Sequence, residues 1–304
     1  MRQALLTLLQ GFCMGSADVV PGVSGGTMAF ILGIYRRLID ALRGFDLAWL
    51  AALRRLDVVT LIRRPDLGFL LPLFAGIVLA LLFFTRVVSV PRLLQQYPEP
   101  VYSLFFGLIL ASIVYLLRDI DRWRAREMLV LAAGIGLGWL VFTLIPVETP
   151  HATWFLFLSG ALAICAMLLP GISGSFILLI LKQYSTVFGA IGAFNLGVLL
   201  PFALGAVAGL LAFSRLLSLL LHRCYRATVV FIIGLLLASL WVIWPYQQRL
   251  YESFDGQRKL VGSSPALPAA LDGTAWLCLG LFLAGCLAVY AIHRLAQEKT
   301  VSGE

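Results

Sequence analysis

Charged residues are scarce in this chain of 304 residues. Asp, Glu, Lys and Arg together make up 12% of it, and 61% of the residues are hydrophobic. A soluble domain of this length needs far more charge on its surface, so an ordinary soluble protein is excluded. The formal net charge of +8 would suggest nucleic acid as a partner of a soluble protein. In this apolar chain, most of the Arg residues lie in the short loops between apolar runs. The positive charge therefore indicates orientation in a membrane, and no nucleic-acid partner is expected.

Motifs for metal binding and catalysis are also missing. The cysteines form no CxxC pair, and the sequence has no HExxH, no paired-carboxylate motif and no phosphatase-like Lys/Arg, Ser-Gly-His and Arg/His triplet. We therefore expect no metal site, no cofactor, no structural disulfide and no enzymatic activity. The cysteines and histidines of the sequence are Cys13, Cys165, Cys224, Cys278, Cys286, His151, His222 and His293.

Long apolar runs are what the sequence has instead. The mean hydropathy is +0.97, and several runs reach or approach the roughly 20 residues that cross a bilayer as a helix. This pattern predicts an all-α, polytopic membrane protein. The runs are 67–85, 101–117, 128–147, 195–214, 228–245 and 274–292.

One motif occurs twice, at a constant offset of 149 positions. Residues 21–35 read PGVSGGTMAFILGIY, and residues 170–184 read PGISGSFILLILKQY. A helix cannot continue smoothly through Pro-Gly, and the serine that follows is a favoured start for a new helix. Each copy therefore predicts a broken or re-entrant helix pair, with the break at Pro21 and Gly22 and at Pro170 and Gly171.

The duplication extends over the rest of the chain. Residues 66–76 match 195–205, and residues 107–112 match 234–239. We predict a first repeat at 1–147, a second at 148–295 and a tail at 296–304. The first repeat carries an Arg-rich insertion within 36–65. Each repeat holds a broken pair and three transmembrane helices. A re-entrant pair adds no crossing and a spanning pair adds two, so the number of crossings is odd in either case. The two repeats should therefore have inverted topology.

The distribution of Lys and Arg predicts the orientation. One side of the predicted topology receives 17 of the 23 Lys and Arg residues, including the seven of the insertion 36–65. Positive residues favour the cytoplasmic side of short loops. Both termini are therefore predicted to be cytoplasmic, and the loop 246–273 should be the largest external one.

The two half-helix starts form a candidate anion site. Inside a membrane, non-helical backbone persists only where protein buries it or it lines a watery cavity, and the free N–H groups of a helix start attract anions. Small residues at a helix start can also serve close packing alone, but the repetition in both halves favours binding. The predicted phosphate-binding residues are Ser24, Gly25, Gly26, Thr27, Ser173, Gly174 and Ser175.

Further charged and aromatic residues lie near these motifs. Asp18 precedes Pro21 by three residues and is a candidate for proton coupling or charge pairing, since carboxylates within membranes are usually functional. Its counterpart at the same offset is Met167. Tyr35 and Tyr184 are predicted to anchor the interface, and Asp66 and Asn195 to be helix N-caps. Weaker candidates for attracting a phosphate are Arg36, Arg37, Arg86 and Arg215.

The run GFCMGSADVVPGVSGGTMAFILGIY, with LLPGISGSFILLIL in the second half, resembles the bacterial polyprenyl-phosphate transporter family. The resemblance covers essentially the whole chain. It implies a flippase in the bacterial cytoplasmic membrane that returns undecaprenyl phosphate from the outer to the inner leaflet for cell-envelope polysaccharide synthesis. The second motif departs from the first at Lys182-Gln183, where the first copy has Gly33-Ile34.

Two other functions remain open at this level. A secondary transporter of a small soluble anion would use the same half-helix site, and only a lateral path for a lipid would distinguish the two. A membrane-embedded enzyme such as a lipid phosphatase is disfavoured by the missing motifs. Coupling to a proton or ion gradient is compatible with either transporter, and the sequence carries no prediction of oligomeric state.

Overall fold

The computed structural model describes residues 2–20, 23–88, 90–118, 120, 122–144, 149–150, 152–254, 257–268, 270 and 272–301. The helices of the first half are α1 (Arg2–Asp18), α2 (Gly25–Ile31), α3 (Tyr35–Arg43), α4 (Leu47–Arg54), α5 (Val58–Arg63), α6 (Leu67–Leu82), α7 (Val90–Gln96), α8 (Pro98–Arg118) and α9 (Ala125–Thr143). Those of the second half are α10 (Thr153–Leu168), α11 (Gly174–Ile180), α12 (Tyr184–Gly192), α13 (Leu196–Arg223), α14 (Tyr225–Val242) and α15 (Gly273–Val301). A π-helical turn, Phe83–Val87, extends α6.

The predicted all-α, polytopic class is confirmed. Within the described residues, six helices are long and apolar enough to cross a membrane: α6 with its π-helical turn, α8, α9, α13, α14 and α15. The bent pair α11 and α12 would make a seventh crossing if it counts as one span. The loop after α14 adds an antiparallel hairpin of β1 (Gln247–Phe254) and β2 (Gln257–Pro265), which the sequence analysis did not predict.

The chain divides into two compact units. The first comprises Met1–Val88 and Leu144–Val229, and the second comprises Ser89–Thr143 and Val230–Glu304. Each unit therefore takes segments from both predicted repeats. The repeat boundaries at 147 and 148 remain a prediction about the sequence, and the inverted orientation of the repeats remains a prediction as well.

Within the first unit, the duplicated sequence produces duplicated packing. Helices α1 and α6 pack along each other, as do their counterparts α10 and α13. In both pairs, glycines bring the two backbones so close that a methyl group would collide with a carbonyl oxygen of the partner helix. Small residues at such crossings are how membrane helices associate. The equivalent contacts are Gly11 with Leu73, Gly76 with Leu8, Gly160 with Phe202, and Gly205 with Phe157.

The second unit repeats this arrangement with partners exchanged between the sequence repeats. Helix α8 packs against α15, and its counterpart α14 packs against α9. At each crossing, both helices again have a glycine that faces a carbonyl oxygen of the partner helix. The contacts are Gly107 with Phe282, Gly285 with Leu104, Gly134 with Phe231, and Gly234 with Leu131.

The helix that follows each Pro-Gly motif is short. Helices α2 and α11 have 7 residues each, so each is roughly 10 Å long and far too short to span a bilayer. Both end in the same turn: Gly33 and its counterpart Lys182 have positive φ angles of 69° and 50°. Backbone bonds from the next residue back to Ala29 and Leu178 close these turns, as in a Schellman motif. The chain then bends into α3 or α12, by 110° in the second copy.

The Arg-rich stretch 36–65, which contains the insertion, forms α3 after its first residue and the short helices α4 and α5. Asp46 and Asp57 accept hydrogen bonds at the starts of these two helices. Hydrogen bonds from Arg64 hold the pKa of Asp46 well below its usual range. The predicted N-cap at Asn195 is confirmed, because its side chain accepts from the N–H of Gly197. Asp66 is likewise the N-cap residue of α6, but its carboxylate makes no cap bond and pairs with Arg37 instead.

Candidate functional site

The first half-helix start is a dense cluster of hydrogen bonds. The carboxylate of Asp18, at the end of α1, accepts a hydrogen bond of 2.7 Å from the N–H of Gly25, the first residue of α2. The hydroxyl of Ser24 accepts one of 3.1 Å from the N–H of Gly26. Ser24 and Thr27 are each only 1% exposed. Two N–H groups predicted to hold an anion therefore already face side-chain oxygens of the chain itself.

The residues around this start also contact the second broken segment. Ser24 donates its hydroxyl proton to the backbone oxygen of Met167, at 3.3 Å. The hydroxyl of Thr27 accepts a hydrogen bond of 2.8 Å from the N–H of Gly171. Two residues that are 144 positions apart in the sequence, each in one copy of the motif, are thus joined directly. The break at Pro170 and Gly171 is buried here, whereas Pro21 and Gly22 lie outside the described residues.

Tyr35 takes part in the same contact. It is 3% exposed, and its hydroxyl donates to the backbone oxygen of Leu168 at 2.8 Å. The prediction that Tyr35 anchors the membrane interface is therefore wrong: an interface tyrosine keeps its hydroxyl in water, and this one bonds within the protein. Tyr184, its counterpart, is partly exposed and stacks on Phe188.

The second half-helix start differs from the first. Ser173 precedes α11 but makes no cap bond, and its hydroxyl instead shares a hydrogen bond of 2.8 Å with that of Ser175. Gly174 is buried against the backbone of Ala163 in α10. The residue equivalent to Asp18 is Met167, which supplies no carboxylate to the N–H groups of this helix start. Its two hydroxyls remain partly exposed.

A cavity of about 450 Å³ lies against the start of α2. Asp18, Gly25 and Gly26 lie along its polar side, and Asp18 is the only ionisable residue among those that line it. Leu71 and Phe74 of α6 also line the cavity, and they are 63% and 66% exposed. On an apolar spanning helix such side chains face lipid, so the cavity borders the bilayer. The other lining residues are Met14, Leu38, Leu42, Phe45, Leu67, Leu70, Leu73, Ile77, Ile164, Met167, Leu168 and Leu210.

The four arginines proposed to attract phosphate are exposed and lie apart from the cavity lining. Arg36 and Arg37 are near the start of α3, Arg86 is in the π-helical turn, and Arg215 is in α13. Arg37 is engaged by Asp66 at 2.8 Å and lies over the ring of Phe69. Its charge is thus already partly neutralised.

Sequence reasoning missed one buried polar residue next to the second motif. Gln183 is completely buried, and its side-chain nitrogen donates to the hydroxyl of Thr149 at 2.9 Å. Its side-chain oxygen has no hydrogen-bond partner. The substitution of Lys182-Gln183 for Gly33-Ile34 was the available signal, because a glutamine replacing an isoleucine in a repeat must find polar partners or remain unsatisfied. Among the described residues, no group of acidic, cysteine and histidine side chains could hold a metal ion.

Comparison with known proteins identifies the family. A polyprenyl-phosphate transporter of Vibrio cholerae is 43% identical over 246 residues, covering 81% of this chain and 79% of the relative. A polyprenyl-phosphate transporter of Staphylococcus aureus is 33% identical over 261 residues, covering 79% of this chain and 86% of the relative. No solved structure matches the chain significantly. Residues 14–261, which include both motifs and the cavity, match the family described as undecaprenyl phosphate translocase-like, and the chain belongs to that family.

Proposed function

We propose that the protein translocates undecaprenyl phosphate, or a similar polyprenyl phosphate, from the outer to the inner leaflet of the bacterial cytoplasmic membrane. The observation that carries this proposal is the cavity at the start of α2, which is apolar, borders the lipid-facing side of α6 and ends at a carboxylate and two backbone N–H groups. Its volume of about 450 Å³ falls within the usual range of small-molecule sites, roughly 300–1,000 Å³. A lipid with one anionic end and a long apolar chain matches such a lining.

The phosphate would be held at the two half-helix starts. Ser24, Gly25, Gly26 and Thr27 would form one contact, and Ser173, Gly174 and Ser175 the other. The hydrogen bond from Gly171 to Thr27 supports a single shared site, because it brings the two motifs into direct contact. Break residues Pro21, Gly22, Pro170 and Gly171 would keep these starts free of helical hydrogen bonds.

Asp18 competes with the phosphate for the proposed site. Its carboxylate accepts the hydrogen bond of the Gly25 N–H, which a phosphate oxygen would otherwise accept. Two anions cannot share this position without strong repulsion, so Asp18 must be protonated or swing aside when the phosphate binds. This competition links phosphate binding to proton uptake. The second start has Met167 at the equivalent position, so the proposed coupling belongs to the first repeat alone.

Both termini are cytoplasmic, in keeping with the Lys and Arg distribution, and the lipid crosses the membrane without chemical change. Arg36, Arg86 and Arg215 would attract the lipid phosphate at the membrane surfaces. Arg37 is a weaker candidate than its neighbour because Asp66 already binds it.

The test is leaflet exchange in proteoliposomes, with a short fluorescent polyprenyl phosphate and a membrane-impermeant quencher. We expect exchange that depends on the protein and is not slowed by a large excess of inorganic phosphate. Uptake of radiolabelled inorganic phosphate without any lipid exchange would instead support transport of a small soluble anion. Exchange no faster than in empty liposomes, with folded protein and with or without a proton gradient, would contradict the proposal.

A further inference from the structure

A polar cluster joins α3 of the first repeat to α13 of the second. The hydroxyl of Ser218 donates to the carboxylate of Asp40 at 2.7 Å. Arg43 donates to the same hydroxyl at 3.3 Å. The imidazole of His222 lies 3.6 Å from the other carboxylate oxygen of Asp40, a contact that is an ion pair when the imidazole is protonated. We call Asp40, Arg43, Ser218 and His222 the α3–α13 latch.

The second repeat lacks the corresponding latch. At the offset of 149, Asp40 and Arg43 correspond to Gly189 and Gly192 of α12, which offer no side chain to a partner helix. Helix α3 packs extensively along α13, whereas α12 makes no comparable contact with α6 in the described parts of the chain. The two repeats therefore have related sequences but different packing at this point.

The exposed fractions of equivalent side chains in the two repeats differ in the same way. Ile39 of α3 is completely buried, but its counterpart Phe188 of α12 is 50% exposed. Leu217 of α13 is 3% exposed, but its counterpart Val88, at the offset of 129, is 37% exposed. Apolar residues that are buried in one repeat are thus open in the other, although both positions keep their apolar character.

We propose that the α3–α13 latch is the gate on one face of the transporter and that the structure represents the state in which this gate is closed. In a transporter built from two related repeats, exchange of their conformations opens one face and closes the other. Opening would move α3 away from α13, while α12 closes on α6 and buries Phe188 and Val88. By the Lys and Arg distribution this gate is the cytoplasmic one. The inference rests on the proposed transport function.

The latch is suited to opening and closing. Asp40 and His222 are both partly exposed, at 37% and 41% of their side chains, so water replaces their partners readily when the helices separate. Ile39 and Leu217, which precede Asp40 and Ser218 in the sequence, are buried in the closed state, so each closure buries apolar surface again. A fully buried ion pair at this position would hold the helices together far more rigidly, because separation would leave charges without partners.

Cross-linking tests the gate in a variant whose five native cysteines are replaced. Cysteines at positions 40 and 218 (Asp40→Cys with Ser218→Cys) are joined by a short, reducible thiol cross-linker, and leaflet exchange of the fluorescent polyprenyl phosphate is measured. We expect exchange to fall at least tenfold on linking and to recover on reduction. The matched control, Asp46→Cys with Arg64→Cys, links a contact within the insertion and should leave exchange unchanged. Exchange at the unlinked rate in the linked 40–218 protein would overturn the proposal.

A second measurement does not depend on transport. In the variant whose five native cysteines are replaced, Leu217→Cys is labelled with a thiol reagent, once with the latch intact and once with Asp40→Asn and Ser218→Ala. Labelling should be several times faster without the latch, because the gate opens more often. An equal rate in both proteins would contradict the gate even if lipid exchange is normal. Conversely, faster labelling without any lipid exchange would leave the gate supported and reject polyprenyl phosphate as the substrate.

Discussion

The carboxylate of Asp18 lies 2.7 Å from the backbone nitrogen of Gly25 and accepts its hydrogen bond. The two residues belong to different helices, separated by the first Pro-Gly motif. This places an ionisable carboxyl group at the helix start where we propose that the phosphate of the lipid binds. The relationship explains why the first motif has a glycine at the helix start, because a methyl group there would lie 2.5 Å from the other carboxylate oxygen of Asp18.

Replacement of Asp18 by asparagine should uncouple transport from the proton gradient. Asparagine can still accept the hydrogen bond of Gly25, but it carries no charge and binds no proton in exchange for a phosphate. We expect leaflet exchange in Asp18→Asn to become insensitive to imposed pH gradients that change the rate in the wild type. Asp46→Asn, in the insertion, should keep the wild-type response. If Asp18→Asn responds to every gradient as the wild type does, Asp18 is not the coupling group.

Replacement of Gly25 by alanine should impair exchange, because the added methyl group would crowd the space in front of the Gly25 N–H, where a phosphate oxygen would have to approach. Exchange should fall by about tenfold, as for a loss of roughly 1.4 kcal/mol in substrate binding. Gly33→Asn is the matched control. Gly33 has φ of +69° and open space around it, its counterpart Lys182 adopts φ of +50°, and asparagine tolerates this conformation. Wild-type exchange in Gly25→Ala, or an equal loss in Gly33→Asn, would argue against a specific role of Gly25.

The bond between the two motifs can be tested through stability. In Thr27→Val the shape of the side chain is kept, but the buried N–H of Gly171 loses its acceptor. An unsatisfied buried group costs about 1–3 kcal/mol, so the unfolding temperature in detergent should drop clearly. Thr27→Ser retains the hydroxyl and should lie close to the wild type. A valine variant as stable as the serine variant would show that the bond contributes nothing to the fold.

The insertion should show a defined pH dependence. Arg64 lowers the pKa of Asp46, so the ion pair stabilises the folded insertion above the ordinary Asp pKa of about 3.9, and this contribution is lost as the pH falls through the lower, folded-state pKa. Because the pair is exposed to solvent, its contribution to stability is small. Hydrogen exchange of α4 should be faster in Asp46→Asn than in the wild type from pH 8 to pH 5. Below pH 4 the difference should shrink, and a difference that grows instead would contradict this account.

The sequence was most informative where the duplication repeats a local signal. The offset of 149 correctly aligns the ends of α2 with α11 and of α3 with α12, because Pro-Gly, serine and the following turn act locally on the backbone. The break after Leu32 was missed even though Gly33 was visible, since a single glycine in an apolar run does not by itself end a helix. The equivalent turn in the second copy was harder to predict, because a lysine, Lys182, takes the position of the glycine.

The errors concern contacts between distant parts of the chain. Tyr35 was expected at the membrane interface, but the second broken segment supplies a buried acceptor 133 positions away. Asp66 is the N-cap residue of α6 as expected, but its carboxylate binds Arg37 of α3 instead of a backbone N–H of α6. The latch between Asp40 and Ser218 joins residues 178 positions apart and has no counterpart in the other repeat. Periodicity and motif spacing contain no information about such pairs.

The most direct test of the account is leaflet exchange of the fluorescent polyprenyl phosphate in a double variant, Ser24→Ala with Ser173→Ala. These hydroxyls lie at the two half-helix starts, and Ser24 contacts both the N–H of Gly26 and the backbone oxygen of Met167 in α10. If the phosphate binds there, exchange should fall well below that of either single variant, while Thr60→Ala in the insertion leaves it unchanged. Wild-type exchange in a folded double variant would place the phosphate elsewhere and contradict the account.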